Sequence, residues 1–164
     1  MEGLALVTGA GNGIGRAISH RFVKDGARVL AVDIDDAALA ALAGELGDRV
    51  VTAHCDVTDE ASLEAVAATA QSLGGLTAAV ANAGRGTWSP VVDHTLDEWR
   101  AVLDLCLTGT FLTVKHAARV MHDGGSIVTI ASANVRVCVS ERRSLGREPM
   151  RCSARADLAV GVGF

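Results

Sequence analysis

The residues best suited to chemistry form a glycine-rich run near the start of the chain, Thr8-Gly9-Ala10-Gly11-Asn12-Gly13-Ile14-Gly15. An apolar run, residues 4–7, precedes it, and a stretch with a helical pattern begins at Ile14. Glycine allows the backbone to turn tightly and to approach a phosphate with no Cβ in the way. A helix that starts there directs its free N–H groups and the positive end of its dipole at that phosphate. Strand, turn and helix together predict a binding site for the pyrophosphate of a dinucleotide.

An acidic side chain, Asp33, is the second candidate. It ends another apolar run, residues 28–32, and follows the glycine-rich run by roughly 20 residues, where an acid can accept hydrogen bonds from an adenosine ribose. Because its charge would also repel a 2′-phosphate, Asp33 predicts NAD rather than NADP. The alternative is that Asp33, with Asp35 and Asp36, only caps the next helix. We favour the ribose role for Asp33 and the capping role for Asp35.

Length, composition and charge limit the classes of function. The 164 residues, of which 49% are apolar, predict one domain with a substantial core. The net charge of −4 gives no electrostatic reason to expect nucleic acid or an anionic membrane as a partner. No apolar stretch approaches the roughly 20 residues of a membrane span, and no signal-like segment precedes the first strand. We therefore expect a cytoplasmic protein with neither nucleic acid nor a membrane as a partner.

Neither the cysteines nor the histidines have the spacing of a disulfide framework or a metal site. The cysteines are Cys55, Cys106, Cys138 and Cys152, and the histidines are His20, His54, His94, His116 and His122. The cysteines show no paired spacing, which predicts reduced thiols. The histidines are scattered singly along the chain, so we expect no metal.

Apolar runs and helical patterns alternate along the chain up to about residue 132. The predicted strands span residues 4–8, 28–33, 50–54, 76–82 and 126–131, and the predicted helices span residues 14–25, 36–46, 59–73 and 96–121. This alternation predicts an α/β fold in which right-handed crossovers place helices on both faces of a parallel sheet. Because the apolar runs are continuous, their strands should be buried on both faces.

Several helix boundaries carry their own signals. Thr58, directly before two acidic residues, predicts an N-cap, and Thr95 with Glu98 fits a capping box. Gly47 and the glycines at 74–75 mark helix ends.

Taken in order, these motifs resemble those of the short-chain dehydrogenase/reductase family, over residues 4 to about 134. Residues 8–15 match the TGxxxGIG cofactor turn of that family, and residues 124–132 resemble its fifth strand, which ends in a serine. Residues 99–111 resemble the long helix that carries W…VNLxGxF in relatives.

Two shorter matches lie at other strand ends. Asp56-Val57 matches the acid that, in the family, holds the adenine amino group after the third strand. Asn82-Ala83-Gly84 matches most of the family's NNAG motif after the fourth strand, with Ala81 replacing the first Asn.

The resemblance implies a Rossmann-like, doubly wound parallel sheet, truncated after about five strands. It implies an oxidoreductase that transfers a hydride between NAD(H) and a secondary alcohol or ketone, with a possible homo-oligomer formed through the helix at 96–121. The implied cofactor-binding residues are Gly9, Asn12, Gly13, Ile14, Gly15, Asp33, Ile34, Asp56, Val57, Asn82, Ala83 and Gly84. The implied catalytic residue is Ser132, whose hydroxyl would donate to the substrate oxygen. The alternative for Ser132 is a helix cap or a turn.

The other catalytic residues of the family are missing. In relatives a Tyr exchanges a proton with the substrate, a Lys four residues later lowers the pKa of that Tyr, and an Asn on the long helix completes the relay. This chain has no tyrosine, and Leu145, Pro149 and Cys106 stand at the three positions. Nearby arginines cannot replace the general acid, because guanidinium hardly deprotonates. The alternatives to an active enzyme are therefore a catalytically inactive NAD-binding protein and a truncated product without function.

The last part of the chain differs in character. Six arginines lie within residues 135–157, with no helical or strand period around them. We expect residues 1–134 to form an NAD(P)-binding domain and residues 135–164 to be a divergent Arg-rich tail, produced by a frame change or early stop in a longer gene. The fifth strand would then have an open edge, which favours self-association unless residues 158–164 cover it.

Overall fold

Five parallel strands form the central sheet. The computed structural model describes residues 3–86, 91–132 and 158–159. The strands of the sheet are β1 (Leu4–Thr8), β2 (Arg28–Asp33), β3 (Val50–His54), β4 (Leu76–Ala81) and β5 (Met121–Thr129). They lie in the order β3-β2-β1-β4-β5, and every neighbouring pair is parallel. This arrangement confirms the predicted Rossmann-like α/β fold.

Helices connect the strands and cover both faces of the sheet. They are α1 (Gly13–Lys24), α2 (Asp36–Leu46), α3 (Glu60–Ser72), α4 (Leu96–Leu103) and α5 (Gly109–Arg119). The bounds of α1 to α3 and of β1 to β4 agree with the sequence prediction to within one residue. Within the described part of the chain, no helix combines the length and the apolar character that crossing a bilayer requires.

Alternate side chains of the inner strands enter two apolar cores, one on each face. Leu6 and Leu30 pack in the core that α3 and α5 cover, whereas Val7 and Val29 pack in the core that includes residues of α2. All four are at most 2% exposed. Each such side chain stabilises the fold by about 1.5–3 kcal/mol. The inner strands are therefore a rigid frame, and their carboxyl ends are fixed relative to one another.

The helix predicted over 96–121 is not uniform. Between α4 and α5 the chain forms a π-helical segment, Asp104–Thr108, and α5 ends at Arg119. Gly109 begins α5 close to the loop that follows β3, since a Cβ there would lie 2.7 Å from Cγ2 of Val57. A π segment inserts an extra residue into the helical turn, which a search for the 3.6-residue period does not detect.

Strand β5 begins at Met121, five residues before the predicted strand. Its register against β4 shifts, because Leu76 pairs with Met121 while Ala78 pairs with Ser126. The residues inside this irregularity are polar or glycine, so the apolar pattern missed them.

Residues 158–164 were expected to cover the edge of β5, but the described part of this segment pairs elsewhere. Two short strands, β6 (Ala131–Ser132) and β7 (Leu158–Ala159), pair antiparallel just beyond β5 and not along its edge. Residues 160–164, the rest of the predicted cover, lie outside the described residues.

The N-cap of α3 is Asp59 and not the predicted Thr58. The Asp59 carboxylate accepts hydrogen bonds from the N–H groups of Ala61 and Ser62 and from the Ser62 hydroxyl, and these bonds lower the pKa of Asp59. Thr58 donates its hydroxyl to Asp56 at 2.7 Å instead. Thr58 was wrong as a cap because the chain enters the helix one residue later, and a carboxylate caps as well as a hydroxyl.

Candidate functional site

A crevice is expected where β1 and β4 lie side by side. The chain proceeds from β1 to β2 and β3 on one side, and then returns to place β4 and β5 on the other. In open α/β sheets, ligands bind outside the carboxyl ends of the strands at such a reversal. The segments that leave these two strand ends, residues 8–15 and 82–84, are the predicted cofactor motifs.

Hydrogen bonds from Thr8 and Asn82 join the two segments. The Thr8 hydroxyl accepts the N–H groups of Asn82 and Ala83 at 3.0 and 3.1 Å, and it donates to the carbonyl of Val80 at 3.4 Å. The Asn82 amide donates in return to the carbonyls of Thr8 and Gly9 at 3.0 and 3.2 Å. Thr8 is only 1% exposed, so these bonds are shielded from water. Asn82 therefore holds the glycine-rich turn against the end of β4.

Two of the predicted glycines are needed where the backbone comes close to its neighbours. Gly9 has φ +64°, and a Cβ on it would lie 3.0 Å from both the Ala83 Cα and the Asn82 amide nitrogen. A Cβ on Gly15 would overlap the carbonyl oxygen of Gly9. A larger residue at either position would push the turn away from β4.

The N-terminus of α1 is left open to a ligand. Its N-cap, Asn12, makes no side-chain capping bond, and no acid lies in the first turn. By contrast, α2, α3 and α4 are capped by the side chains of Asp35, Asp59 and Thr95. The leading N–H groups of a helix attract an anion when no side chain caps them.

Asp33 binds the backbone and keeps capacity for a ligand. Its Oδ2 accepts the N–H of Gly11 at 2.9 Å, and its Oδ1 accepts the N–H of Asp35 at 3.1 Å. A carboxylate has about four acceptor positions, so about two are not used by these backbone bonds. Asp35 caps α2 by accepting the N–H of Ala38 at 3.0 Å, which confirms its predicted role.

Gly11 and Arg16 also contact this site, and neither is among the cofactor-binding residues that the resemblance implies. A Cβ on Gly11 would lie 2.8 Å from the Ala38 Cβ and 3.0 Å from Oδ2 of Asp33. Arg16 donates to the Gly11 carbonyl at 3.4 Å and forms an ion pair with Glu45. The sequence already shows Gly11 as part of the glycine-rich run. The role of Arg16 could not be read from the sequence, because it depends on contacts between α1 and α2.

The end of β3 lies beside Asp33. The Cys55 N–H donates to the Asp33 carbonyl at 2.9 Å, and Oδ1 of Asp56 accepts the N–H and the hydroxyl of Thr58. Val57 is 4% exposed and packs in the core. The Asp56 side chain is thus exposed at the edge of the crevice. The buried Val57 side chain holds the loop after β3 against the core.

Cys106 lies next to the motif Asn82-Ala83-Gly84. A Cβ on Gly84 would be 3.5 Å from the Cys106 Sγ, and the Cys106 thiol donates to the carbonyl of Arg85 at 3.5 Å. Cys106 belongs to the π-helical segment, and such segments are frequent at functional sites. The tertiary structure therefore brings the residue at the family's Asn position to the motif Asn82-Ala83-Gly84.

Ser132 is described only as part of β6, where its backbone pairs with Leu158. Its catalytic role stays a prediction. Leu145 and Pro149, at the expected Tyr and Lys positions, lie outside the described residues.

Comparison with protein families and with known proteins gives a consistent result. The model of the family described as short chain dehydrogenase matches residues 3–142. The chain is 39% identical over 146 residues to D-threitol dehydrogenase from Mycolicibacterium smegmatis, covering 84% of this chain and 55% of that protein. It is 41% identical over 139 residues to the mitochondrial borneol dehydrogenase of Lavandula x intermedia, covering 81% and 53%.

Solved structures agree with these matches. The short-chain dehydrogenase/reductase SDR:Glucose/ribitol dehydrogenase from Brucella melitensis superposes with a TM-score of 0.77 at 32% identity, covering 79% of this chain and 57% of that one. A short-chain dehydrogenase/reductase from Burkholderia xenovorans gives 0.70 at 40% identity, covering 79% and 56%. The chain spans a little over half the length of the relatives it matches.

Cys106 and Cys55 should differ sharply in reactivity. Burial and the carboxylates of Asp56 and Asp59 raise the pKa of Cys55 to about 12, so only about 10⁻⁴ of it is thiolate at about pH 8. Iodoacetamide should therefore alkylate the exposed Cys106 and leave Cys55 unmodified in the folded protein. Peptide mass mapping measures both rates, and protein unfolded in guanidinium chloride, where the two should react alike, is the control. Rapid alkylation of Cys55 in the folded protein would contradict its burial.

Proposed function

This chain belongs to the short-chain dehydrogenase/reductase family, and from that premise we propose that it binds NAD(H) at the carboxyl edge of its sheet and acts in the interconversion of a secondary alcohol and a ketone. The observation that carries the proposal is the uncapped N-terminus of α1 behind the turn at Gly9. The assignment of residues 1–134 as the cofactor-binding domain, with residues 135–164 as a separate tail, is part of this proposal, as is a cytoplasmic location.

The pyrophosphate would lie over the turn between β1 and α1. Gly9 and Gly13 have positive φ angles there, and apart from its chain neighbours and the backbone of α1 no atom lies within 4 Å of the position that a Cβ on Gly13 would take. Asn12, Ile14 and Gly15 would contribute the N–H groups of the first helical turn. Ile14 is 51% exposed, which leaves its apolar side chain available to cover a ligand.

The adenosine would lie at the ends of β2 and β3. Asp33 would accept hydrogen bonds from the ribose hydroxyls with the acceptor positions that the backbone leaves unused. Ile34 is 64% exposed beside it and offers an apolar surface to the adenine ring. Asp56, held by Thr58, would accept from the adenine amino group, and Val57 would fix the loop.

The nicotinamide half would lie near Asn82, Ala83 and Gly84. Bound there, the nicotinamide ring accepts or donates the hydride of the reaction. Asn82 itself is occupied with the turn at Thr8, so its contribution is to hold the backbone of Ala83 and Gly84 in position. Ser132 would donate a hydrogen bond to the oxygen of the alcohol or ketone substrate.

The transfer of the substrate proton is the weak point of this site. The sequence contains no tyrosine, and Cys106 cannot take the place of an Asn amide, which donates and accepts together. General acid–base catalysis is worth roughly 10²–10⁴-fold in rate. Slow turnover is therefore expected, and a protein that binds NAD without turnover is the second candidate function.

Cofactor preference tests the role of Asp33. NADH should bind more tightly than NADPH by roughly tenfold or more, because the Asp33 charge opposes the 2′-phosphate. Asp33→Asn should narrow this difference, whereas the matched variant Asp35→Asn, which still caps α2, should leave it unchanged. Fluorescence titration measures the dissociation constants. Equal affinity of the unmodified chain for the two cofactors would refute the ribose role.

Turnover separates the two candidate functions. With a panel of secondary alcohols and ketones, we expect cofactor binding with rates at least roughly 10²-fold below those of relatives that keep the proton relay. Ser132→Ala should reduce any remaining rate without changing the dissociation constant of NADH. Binding with no turnover would establish the inactive form, and absence of NADH binding would overturn both candidates.

Self-association through the helices at 96–121 is a further part of the proposal. One side of α4, the π-helical segment and α5 carries exposed large apolar side chains three or four residues apart, which places them on one face. They are Leu96, Trp99, Leu103, Leu107 and Phe111, and each is at least 38% exposed. A contiguous apolar patch on a protein surface usually marks an interface.

Charge placed in this patch should weaken the association. Phe111→Glu should shift the protein toward monomer in sedimentation equilibrium, because a carboxylate would have to be buried in the interface. Val92→Glu is the matched control, since Val92 is 85% exposed and precedes α4. If both variants sediment as the unmodified protein does, the patch is not the interface.

A further inference from the structure

A group of charged side chains joins α3 to α5. Oε1 of Glu60 accepts the ammonium of Lys115 at 2.5 Å and lies 3.0 Å from Nε2 of His116. Glu64 lies one helical turn beyond Glu60. Ligand atoms of Glu60, Glu64 and His116 all lie within 4.8 Å of one another. Two helices, 56 positions apart in sequence at Glu60 and His116, thus supply an imidazole and two carboxylates to one point.

These donors suit a divalent transition metal. Imidazole nitrogen and carboxylate oxygen are both ligands of Zn²⁺, and two ligands on one tetrahedral ion lie about 3.3 Å apart. The Glu60 and His116 atoms already have nearly that separation. Glu64 is exposed, and a carboxylate oxygen of it lies within 4.8 Å of the other two ligand atoms.

His116 is preorganised for this role. It is 3% exposed, held in the packing between α3 and α5, and directs Nε2 at the Glu60 carboxylate. The two glutamates face solvent, so an ion can enter without opening the core. A fixed imidazole with accessible carboxylates is the arrangement of an open site, in which water completes the coordination.

A cation is already bound at this carboxylate, since the Lys115 ammonium donates a hydrogen bond to Oε1 of Glu60. The Lys115 side chain is one third exposed and has a flexible stem, so it can leave. A metal cation can therefore replace the Lys115 ammonium at the Glu60 carboxylate.

We propose that Glu60, Glu64 and His116 bind one divalent transition-metal ion of the Zn²⁺ type, which displaces the Lys115 ammonium from Glu60. The ion links α3 and α5, which cover the same face of the sheet. Because the three ligands come together only in the folded chain, the ion raises the midpoint of thermal unfolding as its concentration increases. The site needs no nucleotide, so its test is independent of NAD binding.

Calorimetric titration of the full chain with Zn²⁺ tests the site. The unmodified protein should bind one equivalent at this position. Glu64→Gln, which removes an exposed ligand and leaves the core intact, should weaken binding by roughly tenfold or more. Lys115→Met should tighten it by about tenfold or more, because a unit positive charge beside the ion is removed.

Glu45→Gln is the matched control. Glu45 also pairs with a histidine, His20, and with a basic residue, Arg16, but no second carboxylate completes that group among the described residues. This variant should bind Zn²⁺ as the unmodified chain does. An equal loss in the two glutamate variants would show general binding at histidine–carboxylate pairs and overturn the proposal.

Cobalt identifies the ligands directly. The Co²⁺ form should show visible bands without thiolate charge-transfer absorption, since no cysteine belongs to the set. Charge-transfer bands that persist in Glu64→Gln would assign the ion to cysteines and refute the site. The proposal also fails if the unmodified chain binds no Zn²⁺ saturably, or if Lys115→Met does not tighten binding.

Discussion

The buried hydroxyl of Thr8 is the interaction on which the crevice depends. Asn82 and Ala83 follow the last residue of β4. Their backbone N–H groups both donate to the hydroxyl oxygen of Thr8, so one oxygen atom accepts two hydrogen bonds. Leaving a buried N–H without an acceptor costs about 1–3 kcal/mol. Thr8 thus ties two strand ends 74 positions apart in sequence, and Asn82 returns two bonds to the turn. The turn at Gly9 keeps its shape because the neighbouring strand end holds it.

Asp33, like Thr8, makes more than one contact, so a structural role and the proposed role in binding a ribose do not exclude each other. Its carboxylate fixes the N–H groups of Gly11 and Asp35, which sets the distance between the glycine-rich turn and the start of α2. This structural work leaves acceptor positions free and holds the charge in place, which is what recognition of a ribose requires. Gly11 completes the arrangement, because a side chain there would separate Asp33 from the turn.

The candidate site has two halves, and this chain has more of the expected residues in one half than in the other. The half suited to a dinucleotide combines an uncapped helix, close-packed glycines and a fixed acid. At the other half, the π-helical segment brings Cys106 next to Gly84, and the sequence holds no tyrosine. A thiol packs well but donates a hydrogen bond only weakly. The residues proposed for binding the cofactor and those expected to transfer the proton are therefore separate groups.

The sequence alone determined the strands, most helix bounds, the Asp35 cap and the capping box of Thr95 and Glu98, because these depend on residues within one or two turns of chain. It placed the start of α3 one residue early and missed the π-helical segment and the irregular start of β5, where local patterns are ambiguous. The contact between Thr8 and Asn82 and the contact between Glu60 and His116 appear only in the folded chain. Those contacts depend on strand order and helix packing, which local periodicity does not encode.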